Sequence, residues 1–339
     1  MQRCIELALK GAGSVSPNPM VGAVLVHAGQ IIGEGFHEKF GGPHAEVNCI
    51  NAVSIDHKHL IKSSTLYVSL EPCAHYGKTP PCANLIVNNQ IKHVVIGAKD
   101  PFVSVNGHGI QILKDAGIKV EVGILEKACK QLNAFFFSIH EKKRPYIILK
   151  WAQTKRHKIA YKDEQRLLIS NPMSNYLVHR WRSEVAAILV GTNTALKDNP
   201  LLNNRYWRGH SPIRLVIDLS LRLPKHLHLF TDGSPTVVFN YTKTITDVAV
   251  HYQQIHAHQS VIEQIVDYCA AKNYDTLFVE GGATTLQSFI DASLWDEARV
   301  ITSQVLLINE GLDAPVLKNH HIMRNKKLLD DEIVIYLNK

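Results

Sequence analysis

Strand-length runs rich in β-branched residues alternate with helical stretches along the whole chain, and that alternation confines it to an α/β architecture. Residues 20–26 and 31–36 read as two strands joined at His27-Ala28-Gly29-Gln30, where glycine marks a tight connection. A helix from about Ala45 to Ser54 follows, then a strand over 65–69, a Pro-led segment at Pro72 and a helix from about Cys82 to Asn89. A strand over 93–96, a helix over 109–116 and a strand over 119–122 complete a mixed sheet. Around 138–145 the pattern breaks at Lys142-Lys143-Arg144-Pro145, which divides the chain into residues 1–144 and 145–339. The second half restarts with a strand at 145–151, a helix at 172–183 and strands at 185–190, 214–218, 236–239 and 275–279. The last strand turns through Gly281-Gly282 into a helix running to Leu294, so a second α/β domain is expected.

At roughly 150 residues per domain, 339 residues suit two domains that each bury their own core. With 45% hydrophobic and 20% charged residues, intrinsic disorder is excluded. There is no run of about 18 apolar residues, and Met1-Gln-Arg-Cys-Ile-Glu-Leu lacks a secretory layout, which predicts a cytoplasmic protein with no membrane partner. Six cysteines are too few for a disulfide framework, so in a reducing compartment they read as core residues or metal ligands. The net charge of +7 invites a nucleic-acid reading. The distribution opposes it, because lysine and arginine are scattered and no basic stretch is interleaved with aromatics. The same modest positive field suits a small phosphorylated substrate.

The chemistry concentrates in His44-Ala45-Glu46, Glu71-Pro72-Cys73 and Pro81-Cys82. One imidazole and two thiolates are three ligands for zinc, and three protein ligands leave a fourth position open, as catalytic zinc sites do. Each cysteine directly follows a proline, which pre-sets a first helical turn and places both thiolates near helix N-termini. Glu46, two residues beyond His44, is too close to share its ligand direction yet within reach of an activated water, which makes it a proton shuttle. A histidine-x-glutamate element with prolyl-cysteines downstream is the signature of zinc nucleobase deaminases, although their cysteines are two residues apart and here eight intervene. His75, inside that interval, reads as a substrate or loop residue. Taken singly, each piece is equally at home in a hydrophobic core; together and in this order they specify one zinc ion per chain.

The stretch Glu71-Pro-Cys-Ala-His-Tyr-Gly-Lys-Thr-Pro-Pro-Cys82 resembles the corresponding segment of the bifunctional riboflavin-biosynthesis deaminase/reductase family. Pro17-Asn-Pro-Met-Val-Gly22, Pro43-His-Ala-Glu46, Asp100-Pro101 and Gly107-His-Gly109 agree, as do Lys150, Thr192 to Pro200 with Arg205, and Glu280 to Leu286. The resemblance implies an N-terminal cytidine-deaminase-like three-layer α/β/α domain and a C-terminal dihydrofolate-reductase-like α/β domain. It implies hydrolytic release of ammonia from a phosphorylated pyrimidine, then hydride transfer from NADPH to the ribosyl chain. His44, Cys73 and Cys82 would hold zinc, Glu46 would shuttle the proton, and Asn18 would orient the substrate. Ala152, Thr194, Asp198, Gly282, Ala283, Thr284 and Thr285 would contact NADPH, with the pyrophosphate on backbone N–H groups after the double glycine. No G-x-G-x-x-G stands there, which counts against an ordinary dinucleotide-binding domain. Lys150, Arg182, Leu202, Arg205 and Glu280 would contact the substrate, the two arginines suiting its 5′-phosphate. A homo-oligomer, with a dimer favoured, is also implied.

One segment departs from the family pattern. After the Lys150 strand the relatives carry an acidic residue and glycine, whereas this chain reads Thr154-Lys-Arg-His-Lys-Ile-Ala160, and no tryptophan precedes Ile169. The cations there suit the 2′-phosphate of NADPH or mark an altered reductase. Two alternatives therefore stay open: a deaminase whose second domain has lost reduction, and a zinc-dependent nucleic-acid-editing deaminase.

Overall fold

The computed structural model describes residues 1–74, 80–102, 105–162, 167–246 and 249–339. The chain separates into two compact units, Met1–Lys143 and Arg144–Lys339.

In the first unit α1 (Gln2–Ala8) precedes the hairpin of β1 (Gly22–His27) and β2 (Gln30–Phe36). Ala28 and Gly29 take φ of 47° and 82°, the paired left-handed conformation that a two-residue hairpin loop requires. Then come α2 (Ala45–Asn51), β3 (Thr65–Leu70), α3 (Cys82–Asn88), β4 (His93–Ala98), α4 (His108–Asp115), β5 (Lys119–Val122), α5 (Glu126–Leu132) and α6 (Ala134–Phe137). The strands form one mixed sheet in the order β2-β1-β3-β4-β5, antiparallel through β3 and parallel beyond it.

Strand alternation builds three layers. Ala23, Leu25, Leu66 and Val68 pack with Ala45, Ile86 and Leu113 on one face, while Val24 packs with Cys4 and Leu7 of α1 on the other. The sequence reading missed α1 and α5. Neither has a side-chain cap, and α5 is preceded by Leu125 at φ 56°, so the polar start signal is absent.

The second unit holds β6 (Tyr146–Thr154), β7 (Lys158–Ala160), α7 (Pro172–Ser183), β8 (Ala187–Gly191), α8 (Thr192–Asp198), β9 (Ile213–Ile217) and α9 (His228–Thr231). It continues with β10 (Thr236–Asn240), β11 (Val250–Gln254), α10 (Val261–Ala271), β12 (Thr276–Val279) and α11 (Ala283–Asp291). Last are β13 (Glu297–Ser303), β14 (Leu312–Asp313), β15 (His320–Leu328) and β16 (Asp331–Asn338). Nine strands run in the order β11-β10-β9-β8-β12-β6-β13-β16-β15, parallel from β11 to β13 and antiparallel at β13-β16-β15. Two-face burial explains the near-continuous apolar runs at 147–149, 187–190 and 277–279, all fully buried. α7 opens with Pro172 at its first turn, and Asn171 Oδ1 accepts the Ser174 N–H at 2.9 Å, a polar cap that the sequence displays. Among the described residues, no helix is long and apolar enough to cross a membrane.

The seat of α2 depends on glycine. A Cβ at Gly35 would stand 2.2 Å from the Cys49 nitrogen and 2.5 Å from the Ala45 oxygen, so only a bare backbone lets β2 pass the helix. Gly35→Ala is expected to destabilise the first unit by about 1–3 kcal/mol in urea titration; an unchanged midpoint would show that the helix yields freely.

Candidate functional site

His44 stands at the N-cap of α2, Cys82 is the first residue of α3, and Cys73 lies three residues beyond the end of β3. Their ligand atoms all come within 4.8 Å of one another. His44 Nδ1 is 3.5 Å from Cys73 Sγ and 3.4 Å from Cys82 Sγ. One nitrogen and two sulfurs on three separate elements are the donor set that zinc takes, so the residues fit the ion. The expectation that both cysteines open helices holds for Cys82 alone. Cys73 sits outside any helix or strand, and its sulfur reaches α3 instead, accepting the Cys82 N–H at 3.3 Å. A hydrogen bond from the Cys82 thiol leads in pushing Cys73 down to about 4, and the same bond pushes Cys82 up. Glu46 is only 3% exposed in the first turn of α2. Burial first, and the Cys73 charge second, push its carboxyl up to about 7.

Two supporting residues had no role in the sequence reading. Glu71, quoted there as part of a motif, is buried, and its carboxylate accepts N–H groups from Gly107 at 2.9 Å and from Asp100 and Ile110 at 3.2 Å. It thereby ties the backbone before Cys73 to α4. Gly109 completes the joint, since a Cβ there would lie 2.0 Å from the Pro72 carbonyl oxygen. His37 is the other. Its Nδ1 lies 3.0 Å from the Pro43 carbonyl, its Nε2 3.3 Å from Asn18 Nδ2, and its ring 5.4 Å from that of His44. Asn18 is thus placed beside the His44 end of the site, and the adjoining Met20 is pinned by paired bonds with Asn133 at 2.7 and 2.8 Å. His75 lies outside the described residues.

In the second unit Glu280, just past β12, receives a two-point bond from Arg182 of α7, both at 2.8 Å. Lys150 Nζ of β6 lies 3.9 Å from the same carboxylate. Burial raises the Glu280 carboxyl, but Arg182 and Lys150 outweigh it and hold the group at about 2. Burial also lowers Lys150. Arg182 turns its fork onto Glu280, and its Nη1 donates to the Asn203 carbonyl at 3.2 Å.

Leu202 is buried, at φ 54°, while Arg205 is exposed, with its guanidinium 4.7 Å from the Tyr206 ring centroid. The starts of α8 and α11 converge. A Cβ at Gly282 would be 3.2 Å from Thr194 Oγ1, and one at Gly191 would be 2.6 Å from Thr285 Oγ1. Gly282 caps α11, so Ala283, Thr284 and Thr285 form its first turn, and Asp198 closes α8. Ala152 sits within β6 opposite Ile301. Lys155 and Arg156 are exposed in the turn after β6; Arg156 Nη1 donates to Asn309 Oδ1 at 2.5 Å, and Lys158 pairs with Asp313 at 2.5 Å.

Fold and geometry define a class: a zinc-type deaminase unit followed by an α/β unit with a buried charge cluster beside glycine-opened helices. Residues 1–98 match the cytidine and deoxycytidylate deaminase zinc-binding region, and residues 145–307 match the RibD C-terminal domain. The chain is 35% identical to the riboflavin biosynthesis protein RibD of Aquifex aeolicus, over all of this chain and 97% of that one. A diaminohydroxyphosphoribosylaminopyrimidine deaminase/5-amino-6-(5-phosphoribosylamino)uracil reductase from Thermotoga maritima superposes with a TM-score of 0.88 at 35% identity, over 100% and 97% of the two chains. RibD of Acinetobacter baumannii gives 0.86 at 31% over the same shares. The chain belongs to the RibD family of riboflavin biosynthesis proteins.

Two predictions follow from these geometries. Cys82→Ser is expected to lower zinc content and thermal stability together, since a lost thiolate ligand removes metal-linked folding energy; unchanged metal stoichiometry by elemental analysis would break the ligand set. Glu280→Gln should cost about 3–5 kcal/mol near pH 7, because two largely buried cations lose their partner. The folded-state value lies below the ordinary 4.5, so the ionised carboxylate stabilises fully above pH 4.5, and its contribution is lost as pH falls towards about 2. Denaturation at stepped acid pH should therefore show the wild-type advantage shrinking through that window.

Proposed function

We propose that this chain carries out two consecutive steps on one pyrimidine nucleotide. The first is hydrolytic deamination of 2,5-diamino-6-ribosylamino-4(3H)-pyrimidinone 5′-phosphate. The second is NADPH-dependent reduction of the ribosyl chain to ribityl, giving 5-amino-6-ribitylaminouracil 5′-phosphate. The observation that carries the reading is the convergence of His44 Nδ1, Cys73 Sγ and Cys82 Sγ within 4.8 Å beside a buried Glu46, in a chain that matches 97% of the Aquifex aeolicus RibD.

In the deaminase unit, His44, Cys73 and Cys82 would hold zinc, which supplies Lewis acidity and brings water activation to neutral pH. Glu46 takes a proton from the attacking water and returns it to the departing amine, so that water and the exocyclic amine become carbonyl and ammonia. Asn18, held through His37, orients the ring. In the reductase unit NADPH supplies the hydride to C1′. Gly282, Ala283, Thr284 and Thr285 offer the first-turn N–H groups of α11 to its pyrophosphate, with Thr194 and Asp198 beside them and Ala152 on the central strand. Glu280 stays ionised, and with Lys150 it engages the ring-opened sugar. Arg205 meets the 5′-phosphate beyond Leu202.

A cytoplasmic homodimer is part of this reading. Val305, Leu307, Leu312 and Val316, each 47–68% exposed on the reductase unit, support self-association there.

Glu46→Gln should retain zinc while ammonia release falls by about 10²–10⁴-fold, since the shuttle is removed and the ligands are not. Full turnover in that variant would overturn the role. Deaminated intermediate with NADPH should bleach the nicotinamide absorbance; a flat trace there, with ammonia still released from the diaminopyrimidinone in a separate assay, would leave a deaminase alone.

A further inference from the structure

His179 lies one turn before Arg182 on α7, and its side chain is wholly buried at 0% exposure. Its Nδ1 accepts the backbone N–H of Arg205 at 3.2 Å. With that lone pair in use, a neutral imidazole carries its proton on Nε2. Nε2 finds no hydrogen-bond partner among the described residues. A buried donor left unsatisfied is unfavourable, and a hydrocarbon ring fills similar space without that penalty. What the imidazole offers here and phenylalanine lacks is the acceptor at Nδ1.

The segment gripped by that acceptor is conformationally loaded. Leu202 sits at φ 54° and Asn199 at φ 39°, left-handed backbone that a non-glycine residue holds only when its surroundings enforce it. Arg182 takes the Asn203 carbonyl at 3.2 Å while His179 takes the Arg205 N–H, so two side chains one turn apart on α7 clamp the loop. The Tyr206 ring, 4.6 Å from the imidazole and near edge-to-face, closes against the same histidine. Around it stand the cations Arg182, Arg205 and Lys150 and the anion Glu280; burial first, then Arg182, push the imidazole down to about 4.

We propose that His179 is a positioning residue for the reduction step: by accepting the Arg205 N–H at Nδ1 it sets the backbone from which the Arg205 guanidinium reaches the substrate phosphate. This rests on reading Arg205 as a substrate ligand.

The test uses His179→Asn, His179→Gln and His179→Phe in the full chain, with Arg205→Met alongside. Asparagine places its amide oxygen near the position of Nδ1, glutamine reaches instead towards that of Nε2, and phenylalanine supplies no acceptor. NADPH oxidation is followed against 5-amino-6-(5-phosphoribosylamino)uracil, with ammonia release from the diaminopyrimidinone substrate in a parallel assay as control and urea midpoints for stability. Phe and Gln are expected to raise KM for the uracil substrate about tenfold with kcat within about twofold, and Asn to restore KM to within about threefold of the parent. Ammonia release stays at the parental rate in all three. Equal KM across the histidine variants, a loss confined to kcat, or Asn behaving like Phe would overturn the positioning role. If Phe does not fold, the Asn and Gln pair decides. Arg205→Met separates the two claims. A raised KM there with normal His179 variants sinks the positioning role alone, whereas an unchanged KM in Arg205→Met sinks the phosphate reading and the inference with it.

Discussion

A single buried carboxylate organises the deaminase half. Glu71 accepts N–H groups from residues 29, 36 and 39 positions further along the chain, so the end of β3, the turn after β4 and the start of α4 are locked into one body. The placement of Cys73 follows from that lock. Cys73 hangs two residues beyond Glu71, and the α3 N–H that reaches its sulfur can do so only when this backbone is fixed. Removing one such carboxylate would strand several buried donors at once, and each stranded donor carries a desolvation penalty of about 1–3 kcal/mol. Glycine at 109 serves the same joint from the opposite side, by having no side chain to hold the two backbones apart.

The reductase half solves a different problem with similar means. Its charge cluster sets one anion, Glu280, against two cations on neighbouring elements, and the anion wins its charge despite burial because both cations reach it. The parallel sheet explains the location. β8 and β12 are neighbours, and at their carboxyl ends the chain opens α8 and α11, so Thr194 meets Gly282 without any long excursion.

Much of this was readable beforehand, for reasons that differ by residue. The runs at 147–149, 187–190 and 277–279 display their burial directly, and the Asn171-Pro172 start of α7 is a written helix signal. The convergence of His44, Cys73 and Cys82 was legible because donor atoms for a soft metal are few in kind. β13 was not, since its Glu297 and Arg299 look like surface residues; the pair neutralise each other at 2.6 Å, and Tyr146 donates to Glu297 from β6. The β15 and β16 hairpin hid likewise, because β15 is exposed along nearly all its length and shows no apolar alternation. Glu71, His37 and His179 escaped as well. Their partners are backbone groups and side chains distant in sequence, and no spacing rule encodes such pairings.

The way Arg182 spends its hydrogen bonds shapes how a ligand is captured. With that fork turned onto Glu280, the remaining arginine proposed to face the phosphate stands in solvent. On that proposal the anionic tail of the nucleotide would be held in water at high dielectric, where mobile ions compete within about 8–10 Å. Capture by the reductase would then be tuned by ionic strength, while the desolvated charges around Glu280 would be largely shielded from it.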